Sequence, residues 1–203
     1  MPPRAEPLAS GPFDVTRLLE ASGALKRGHF QLSSGLHSSA YVQCALLLEH
    51  PARAREVGEA LARALADLAP ESILSPALGG MIIGHEVAAA LGVPFRFTER
   101  KGEGMDLRRG FALRPGERVA IVEDVVTTGR STNEVAALAA AQGAEVVGVG
   151  AIIDRTAAGA TPFAVPFRAL LRLDLPSHAA ADCPLCAAGG TPEKPGSRPQ
   201  PAR

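Results

Sequence analysis

Residues 119–132, VAIVEDVVTTGRST, run from an apolar segment into a turn dense in hydroxyls and glycine, with Glu123 and Asp124 at the junction. A turn of this kind can seat an anion. Free backbone N–H groups at the start of a helix point at a phosphate, and Thr127, Thr128 and Ser131 add hydroxyl donors. Gly129 lets the backbone come close. The pattern GxxxxGK[ST] is absent from the chain, so this is a phosphate seat without the Walker lysine. A bare phosphate has no use for two neighbouring carboxylates. A phosphate carried on a sugar does: the acids accept hydrogen bonds from ribose hydroxyls while the turn holds the 5-phosphate. The competing reading is an ordinary Ser/Thr-capped turn with solvated acids, which requires much less of the pattern than is present.

Such a seat needs a strand before it and a helix after it, and the flanking residues supply both. ERVAIVED reads as an apolar strand and STNEVAALAAAQG as a helix ending at Gly143. Upstream, SILSPA is a short strand running into Gly79-Gly80, MIIGHEVAAALG a helix stopping at Gly92, and PFRFTE a strand. RKGEGMDLRRG then reads as a polar, charged loop, while EVVGVGAIID and RALLRLD read as further strands. Strands alternating with helices imply βαβ units and a parallel sheet covered on both faces. Ligands bind such sheets at the carboxyl ends of the strands. The stretches that could do chemistry all follow strands: 76–80, 100–109, 123–132 and Asp154-Arg155.

The rest of the chain divides around this core. Residues 1–12 are rich in Pro, Gly and Ala and read as a flexible N-terminus. Residues 13–70 hold a short helix with Asp14 as N-cap and Gly23 near its end, then two strands over 28–44 broken by a turn at Gly35. A helix starting at Pro51 follows, with Val57, Leu61, Leu65 and Leu68 on one face. Residues 71–175 form the core unit, and 176–203 carry a CxxC and, from 187, a flexible tail.

Composition narrows the function classes. With 203 residues and 46% hydrophobic content, the chain can bury one sizeable core with an appended element. A formal net charge of +0 argues against general binding to nucleic acid or membrane surfaces. No apolar run has membrane-spanning length and the first residues lack the apolar core of a signal peptide, so the expected location is cytoplasmic. Three cysteines, an odd number, make no disulfide framework. Cys183 and Cys186 form a single CxxC. A structural zinc usually takes four ligands; Cys44 and His178 could complete a set, but nothing in their spacing requires it, and reduced structural thiols are the plainer reading.

VAIVEDVVTTGRST resembles the phosphoribosyl pyrophosphate motif of type I phosphoribosyltransferases. GHFQLSSGLHSSAY, PALGG, ERKGEG and IIDRT together resemble the orotate phosphoribosyltransferase family, over roughly residues 14–186. The resemblance implies an α/β fold: a parallel-sheet type I phosphoribosyltransferase core with a small N-terminal hood. It implies transfer of ribose 5-phosphate from phosphoribosyl pyrophosphate to orotate, giving orotidine 5′-monophosphate and pyrophosphate in pyrimidine biosynthesis.

By the same resemblance, Glu123 and Asp124 bind the ribose hydroxyls, and the segment Val125, Val126, Thr127, Thr128, Gly129, Arg130 and Ser131 binds the donor, its turn cradling the 5-phosphate. Thr127 and Arg155 contact orotate, Arg155 by pairing with the carboxylate. Ala77, Leu78, Gly79 and Gly80 form the pyrophosphate loop, where two glycines permit unusual backbone angles and a strained peptide. Arg100 and Lys101 bind the donor from a loop, 100–109, that reaches the neighbouring subunit of a homodimer, and Lys101 and Asp124 are the expected catalytic residues. Mg²⁺ is the implied cofactor, bound mainly through substrate with no certain protein ligand.

Phe30, Ser34 and Gly35 match the hood that closes over the base, and His37 lies within reach of it. Two positions depart from the family: lysines common in the pyrophosphate loop and before the Ser-Gly of the hood are replaced by Gly79 and Ser33. The alternatives are a phosphoribosyltransferase for purine bases and a regulator that senses phosphoribosyl pyrophosphate without catalysis. Arg155 and the hood motif weigh against the first; neutral charge and the lack of a helix-turn-helix before residue 28 weigh against the second.

Overall fold

The computed structural model describes residues 13–32, 35–102, 104–158, 160 and 162–195. The flexible N-terminus expected over 1–12, the hood residues Ser33 and Ser34, and tail residues 196–203 lie outside the described residues. In chain order the elements are α1 (Val15–Ala21), β1 (Leu25–Gln31), β2 (His37–Val42), α2 (Cys44–Leu48), α3 (Pro51–Leu65), β3 (Ser72–Pro76) and α4 (Gly79–Leu91). There follow β4 (Phe95–Lys101), β5 (Gly104–Leu107), β6 (Arg118–Val126), α5 (Arg130–Ala141), β7 (Glu145–Asp154), β8 (Phe167–Arg172), β9 (Ser177–His178) and α6 (Pro184–Ala187).

Local chemistry sets the ends of these helices. Asp14 caps α1 by accepting from the amides of Thr16 at 2.9 Å and Arg17 at 3.2 Å. Pro51 opens α3, where its missing N–H has no partner to lose. Gly92 closes α4 with a left-handed φ of 70°.

Six strands form the central sheet, in the order β5-β4-β3-β6-β7-β8. All neighbours run parallel except β5, which pairs antiparallel with β4 from Thr98↔Leu107 to Lys101↔Gly104. This corrects the reading of 100–110 as a loop: most of it is a β-hairpin at the sheet edge. Its sequence lacks β-branched residues, and the pairing comes from the neighbouring strand and from Met105 and Leu107, which pack on the apolar cluster beneath.

Helices α3 and α4 cover one face of the sheet, where Val57, Leu61, Leu65, Ile83 and Val87 are fully buried with Ile73, Ala120 and Val122. Helix α5 covers the other, burying Val135 and Ala139 against Leu74, Val119, Ile121 and Val149. Each fully buried aliphatic side chain contributes about 1.5–3 kcal/mol. Helix α4 lies so close to β3 that a Cβ on Gly84 would sit 2.1 Å from Ser75 Oγ, which fixes the height of the segment that follows β3.

A second sheet of three strands, β1-β2-β9, forms the hood. Strands β1 and β2 make an irregular hairpin, and β9 adds the CxxC segment to its edge, with His37 opposite His178. Beyond α6 the chain returns to the hood: the Gln31 amide donates to Glu193 O at 2.7 Å and the Glu193 amide to His29 O at 2.8 Å. Part of the segment read as a flexible tail from 187 thus makes backbone hydrogen bonds, as far as Glu193.

At the amino end of the sheet, opposite the ligand side, Glu117 ties three segments together. It accepts from Ser72 Oγ and from Arg96, both at 2.6 Å, and from the Arg114 amide at 2.9 Å. Burial alone would raise its carboxyl, but these hydrogen bonds and the Arg96 charge hold it down to about 2. The stabilisation is present above about pH 4.5 and is lost as pH falls towards about 2. Glu117→Ala is expected to destabilise the protein by about 3–5 kcal/mol at neutral pH by stranding Arg96, with the difference from wild type shrinking towards about pH 2. Urea denaturation across that range measures both, and equal stability at neutral pH would remove Glu117 from this role.

Candidate functional site

Strand order reverses between β3 and β6: β4 lies on one side of β3, and β6 and β7 follow on the other. The helices leaving β3 and β6 cover opposite faces, so the carboxyl ends of these two strands open a crevice, the usual ligand position in such sheets. Glu123 and Asp124 sit there, at the end of β6. Glu123 is 7% exposed and Asp124 partly buried. The Asp124 amide donates to Glu123 Oε1 at 3.2 Å, the Val125 amide to Asp124 Oδ1 at 2.8 Å, and Ser131 Oγ to Glu123 Oε2 at 3.4 Å. Burial, then the charge and hydrogen bonding of Asp124, push Glu123 up to about 9, and burial pushes Asp124 up as well. Near neutral pH the pair keeps a proton, and it is poised to accept hydrogen bonds from hydroxyls that replace lost water.

The pyrophosphate-loop glycines meet this pair. A Cβ on Gly79 would lie 2.7 Å from Asp124 Oδ1, and one on Gly80 would lie 2.7 Å from Val122 O and 3.2 Å from Glu123 Oε1. Unusual backbone angles were expected here. Instead both glycines begin α4 outside the left-handed region, and what they supply is close approach. A side chain at position 79 would require the Asp124 carboxylate to shift. The unusual backbone of this loop falls just before the glycines, where the Ala77–Leu78 peptide is cis, and Leu78 is 83% exposed.

After β6 the chain turns through Thr127, Thr128 and Gly129 into α5. Gly129 takes a left-handed φ of 73°, and a Cβ there would meet the Phe163 ring at 2.9 Å and Pro162 at 3.0 Å. Only glycine suits both demands. Val126 is buried in the core and serves the turn through its backbone: its carbonyl accepts from the Arg155 amide at 2.8 Å. Thr127 and Thr128 are exposed and line a cavity of 390 Å³ with Arg155, Thr156, Ala157, Ala160 and Pro162. Arg155 Nε is buried there with no hydrogen-bond partner among the described residues, and burial lowers the guanidinium's pKa. Asp154 does not neutralise it. That carboxylate is turned to Arg172 at 2.7 Å and to the Thr156 amide at 2.8 Å. A partly desolvated guanidinium facing a cavity is a site for a planar carboxylate.

The remaining expected residues are not all brought to this crevice. Arg100 pairs with Glu134 Oε2 at 2.8 Å, and Arg130 with Glu134 Oε1 at 3.0 Å, so both cations meet on the first turns of α5. Lys101 bonds to Asp106 at 2.9 Å across its own hairpin, rather than to the acid pair or the turn. Arg109 forks onto Glu99 at 2.9 and 3.0 Å. In the hood, Phe30 is 3% exposed and packs by Tyr41, their ring centres 6.0 Å apart, so its contribution is to the hood's interior. Tyr41 and Cys44 were missed. Both lie near the acids: after burial, the Asp124 charge is the next cause raising each pKa. Tyr41 belongs to the matched hood stretch, but only the fold shows that the end of β2 meets the end of β6. Glu134 was missed because a helix-face glutamate carries no sequence signal.

Comparison with known proteins agrees with this geometry. The family model described as the phosphoribosyl transferase domain matches residues 45–170. The chain is 53% identical over 184 residues to the orotate phosphoribosyltransferase of Thermotoga maritima, covering 91% of this chain and 98% of that one. It is 46% identical over 178 residues to the enzyme of the same name from Thermus thermophilus, covering 87% and 97%. Among solved structures it is similar to the orotate phosphoribosyltransferase of Mycobacterium tuberculosis, with TM-score 0.63 at 28% identity over 80% of this chain and 97% of that one. The corresponding structure from Aeropyrum pernix, at 23% identity and TM-score 0.67, shares the fold over 79% and 94%. With the acid pair, the turn and the cavity placed at the switch point of a matching sheet, the chain belongs to the orotate phosphoribosyltransferase family and has the type I phosphoribosyltransferase fold.

Proposed function

We propose that this chain transfers ribose 5-phosphate from phosphoribosyl pyrophosphate to orotate, releasing pyrophosphate and forming orotidine 5′-monophosphate. The observation that carries this is the half-buried Arg155 guanidinium, whose Nε is buried without a hydrogen-bond partner among the described residues and which faces the cavity beside Thr127. It suits the carboxylate that distinguishes orotate from a purine base. The turn from Thr127 to Ser131 takes the 5-phosphate at the start of α5, with Arg130 and Arg100 adding charge nearby. Glu123 and Asp124 take the ribose hydroxyls, and the 77–80 backbone takes the pyrophosphate.

Departure of pyrophosphate leaves oxocarbenium-like character at the sugar C1, as in glycoside cleavage. Asp124, at the ribose, is placed to offset that charge. Lys101 is the cation we assign to the leaving group. It reaches the site when the β4–β5 hairpin closes, exchanging Asp106 for phosphate and excluding water. We read that hairpin as serving the neighbouring site of a homodimer. The oxygen-only donors at the crevice fit Mg²⁺ held mainly through the donor's own oxygens. When bound, Mg²⁺ would neutralise charge on the departing pyrophosphate. The free cysteines fit a reducing compartment, and we place the protein in the cytoplasm. No described helix is long and apolar enough to cross a membrane.

Two tests follow from this assignment. Orotate absorbance should fall on adding protein, donor and Mg²⁺, and Arg155→Ala should raise the KM for orotate by roughly 10- to 100-fold while leaving that for the donor nearly unchanged. No consumption of orotate by wild type would defeat the assignment, and consumption of a purine base in its place would favour the other acceptor. The second test uses pH. Because folding raises the Glu123 pKa, its contribution to stability is complete below about pH 4.5 and declines as pH rises to about 9. Glu123→Gln should therefore raise the melting temperature relative to wild type, increasingly so over that interval, while weakening donor binding. A gain independent of pH would show that the carboxyl is not held protonated.

A further inference from the structure

The hood and the CxxC segment meet in a cluster that the transferase reaction does not use. His29 Nε2 lies 3.1 Å from His37 Nδ1, and His37 Nδ1 lies 3.2 Å from Cys186 Sγ. Cys183 Sγ and Cys186 Sγ lie 3.5 and 3.7 Å from His29 Nε2. All four donor atoms fall within 4.8 Å of one another. His37 was expected to approach substrate; it is instead 4% exposed and turned into this cluster. Cys44 and His178, considered from sequence as completing ligands, are not members.

We propose that His29, His37, Cys183 and Cys186 bind one Zn²⁺ and that this metal fastens the C-terminal segment to the hood. A tetrahedral zinc with Zn–N near 2.05 Å and Zn–S near 2.3 Å has edges of about 3.3 Å between nitrogens, about 3.6 Å from nitrogen to sulfur and about 3.8 Å between sulfurs. The observed separations match the first two kinds of edge to within a few tenths of an ångström. Two imidazole nitrogens and two thiols converge on one point, and without an ion one imidazole N–H between the rings and weak S–H donors are all that separate the lone pairs. Two soft thiolates and two imidazoles select zinc over magnesium or calcium. Both thiols ionise on binding and release two protons to solvent, leaving a neutral site that tolerates burial. Four protein donors leave no open position, so the site is structural.

The surroundings are consistent with this. Backbone bonds hold both cysteines on one tight turn: the Ala187 amide donates to Cys183 O at 3.0 Å and the Gly189 amide to Cys186 O at 2.8 Å. A Cβ on Gly190 would stand 3.2 Å from His29 Nδ1, so the absence of a side chain there makes room for the ring. Phe30, Ala40 and Cys183 are buried but belong to neither apolar cluster of the core. A sheet this small needs a further constraint, and a metal is one of the few available. The same hairpin carries Tyr41 to the neighbourhood of Asp124, so the metal also steadies the roof of the site.

The full chain, purified under reducing conditions and reconstituted with zinc, should contain one zinc per chain by elemental analysis. Removal by a strong chelator should lower the melting temperature, and zinc should restore it. Cobalt should replace zinc with the intense visible bands of a tetrahedral thiolate site. Cys183→Ser, Cys186→Ser and His37→Ala should each lose most of the metal, whereas Cys44→Ser and His178→Gln should keep it. Because loss of a ligand can also prevent folding, His37→Cys serves as a second probe: it offers an alternative soft ligand and should retain zinc. Absence of stoichiometric metal in reconstituted wild type would overturn the proposal. So would metal retained in both cysteine variants, or a Cys183–Cys186 disulfide in reduced, metal-free preparations. None of these readouts depends on transfer to orotate.

Discussion

Two carboxylates share the buried carboxyl end of one strand, and the rest of the site is arranged around the energetic strain of keeping them there. Glu123 and Asp124 cannot both ionise readily in so little water: burial raises both, and the Asp124 charge raises Glu123 further. The fold lowers that cost with short local bonds, from the Asp124 and Val125 amides and the Ser131 hydroxyl. A ligand bearing hydroxyl donors lowers it further. In the function we propose, the pair gains when a sugar replaces water, and that gain is larger in a crevice than on an open surface.

The sheet supplies the crevice. A reversal of strand order between β3 and β6 sends their helices to opposite faces, and the gap between falls where the acids emerge. Glycine at 79 and 80 lets the start of α4 come up against the carboxylates, and Gly129 does the same beneath Phe163 on the far side. Glu117 fixes the same strands at their opposite ends. The cavity we assign to the acceptor is set apart, one strand over, where Asp154 is occupied by Arg172 and Arg155 is left to the cavity.

Much of this was legible in the sequence, for physical reasons. The buried strand, hydroxylated turn and helix of 119–132 are local, and so are the helix caps at Asp14, Pro51 and Gly92. The parallel sheet followed from alternation of strands and helices. What was not legible depends on contacts between distant segments. The hairpin over 100–107 owes its pairing to its neighbour, not to its own residues. The closeness of Gly79 to Asp124, far along the chain, leaves no local signal. His29 and His37 look scattered until the CxxC segment is folded onto β2 through β9. The short helix α2 and the two-residue strand β9 are too brief to have a period.

The central claim is that the acid pair recognises the ribose diol. It is tested most directly by calorimetric binding of ribose 5-phosphate and of its 2-deoxy analogue to the wild-type protein and to Asp124→Asn. Both ligands offer the same phosphate to the turn, so only the hydroxyl differs. A hydrogen bond to an ionised group is worth about 1.5–3 kcal/mol, so the wild type should bind the ribose compound roughly 10- to 100-fold more tightly, and the variant should lose most of that preference. Equal affinity of the wild type for the two sugars would contradict the account.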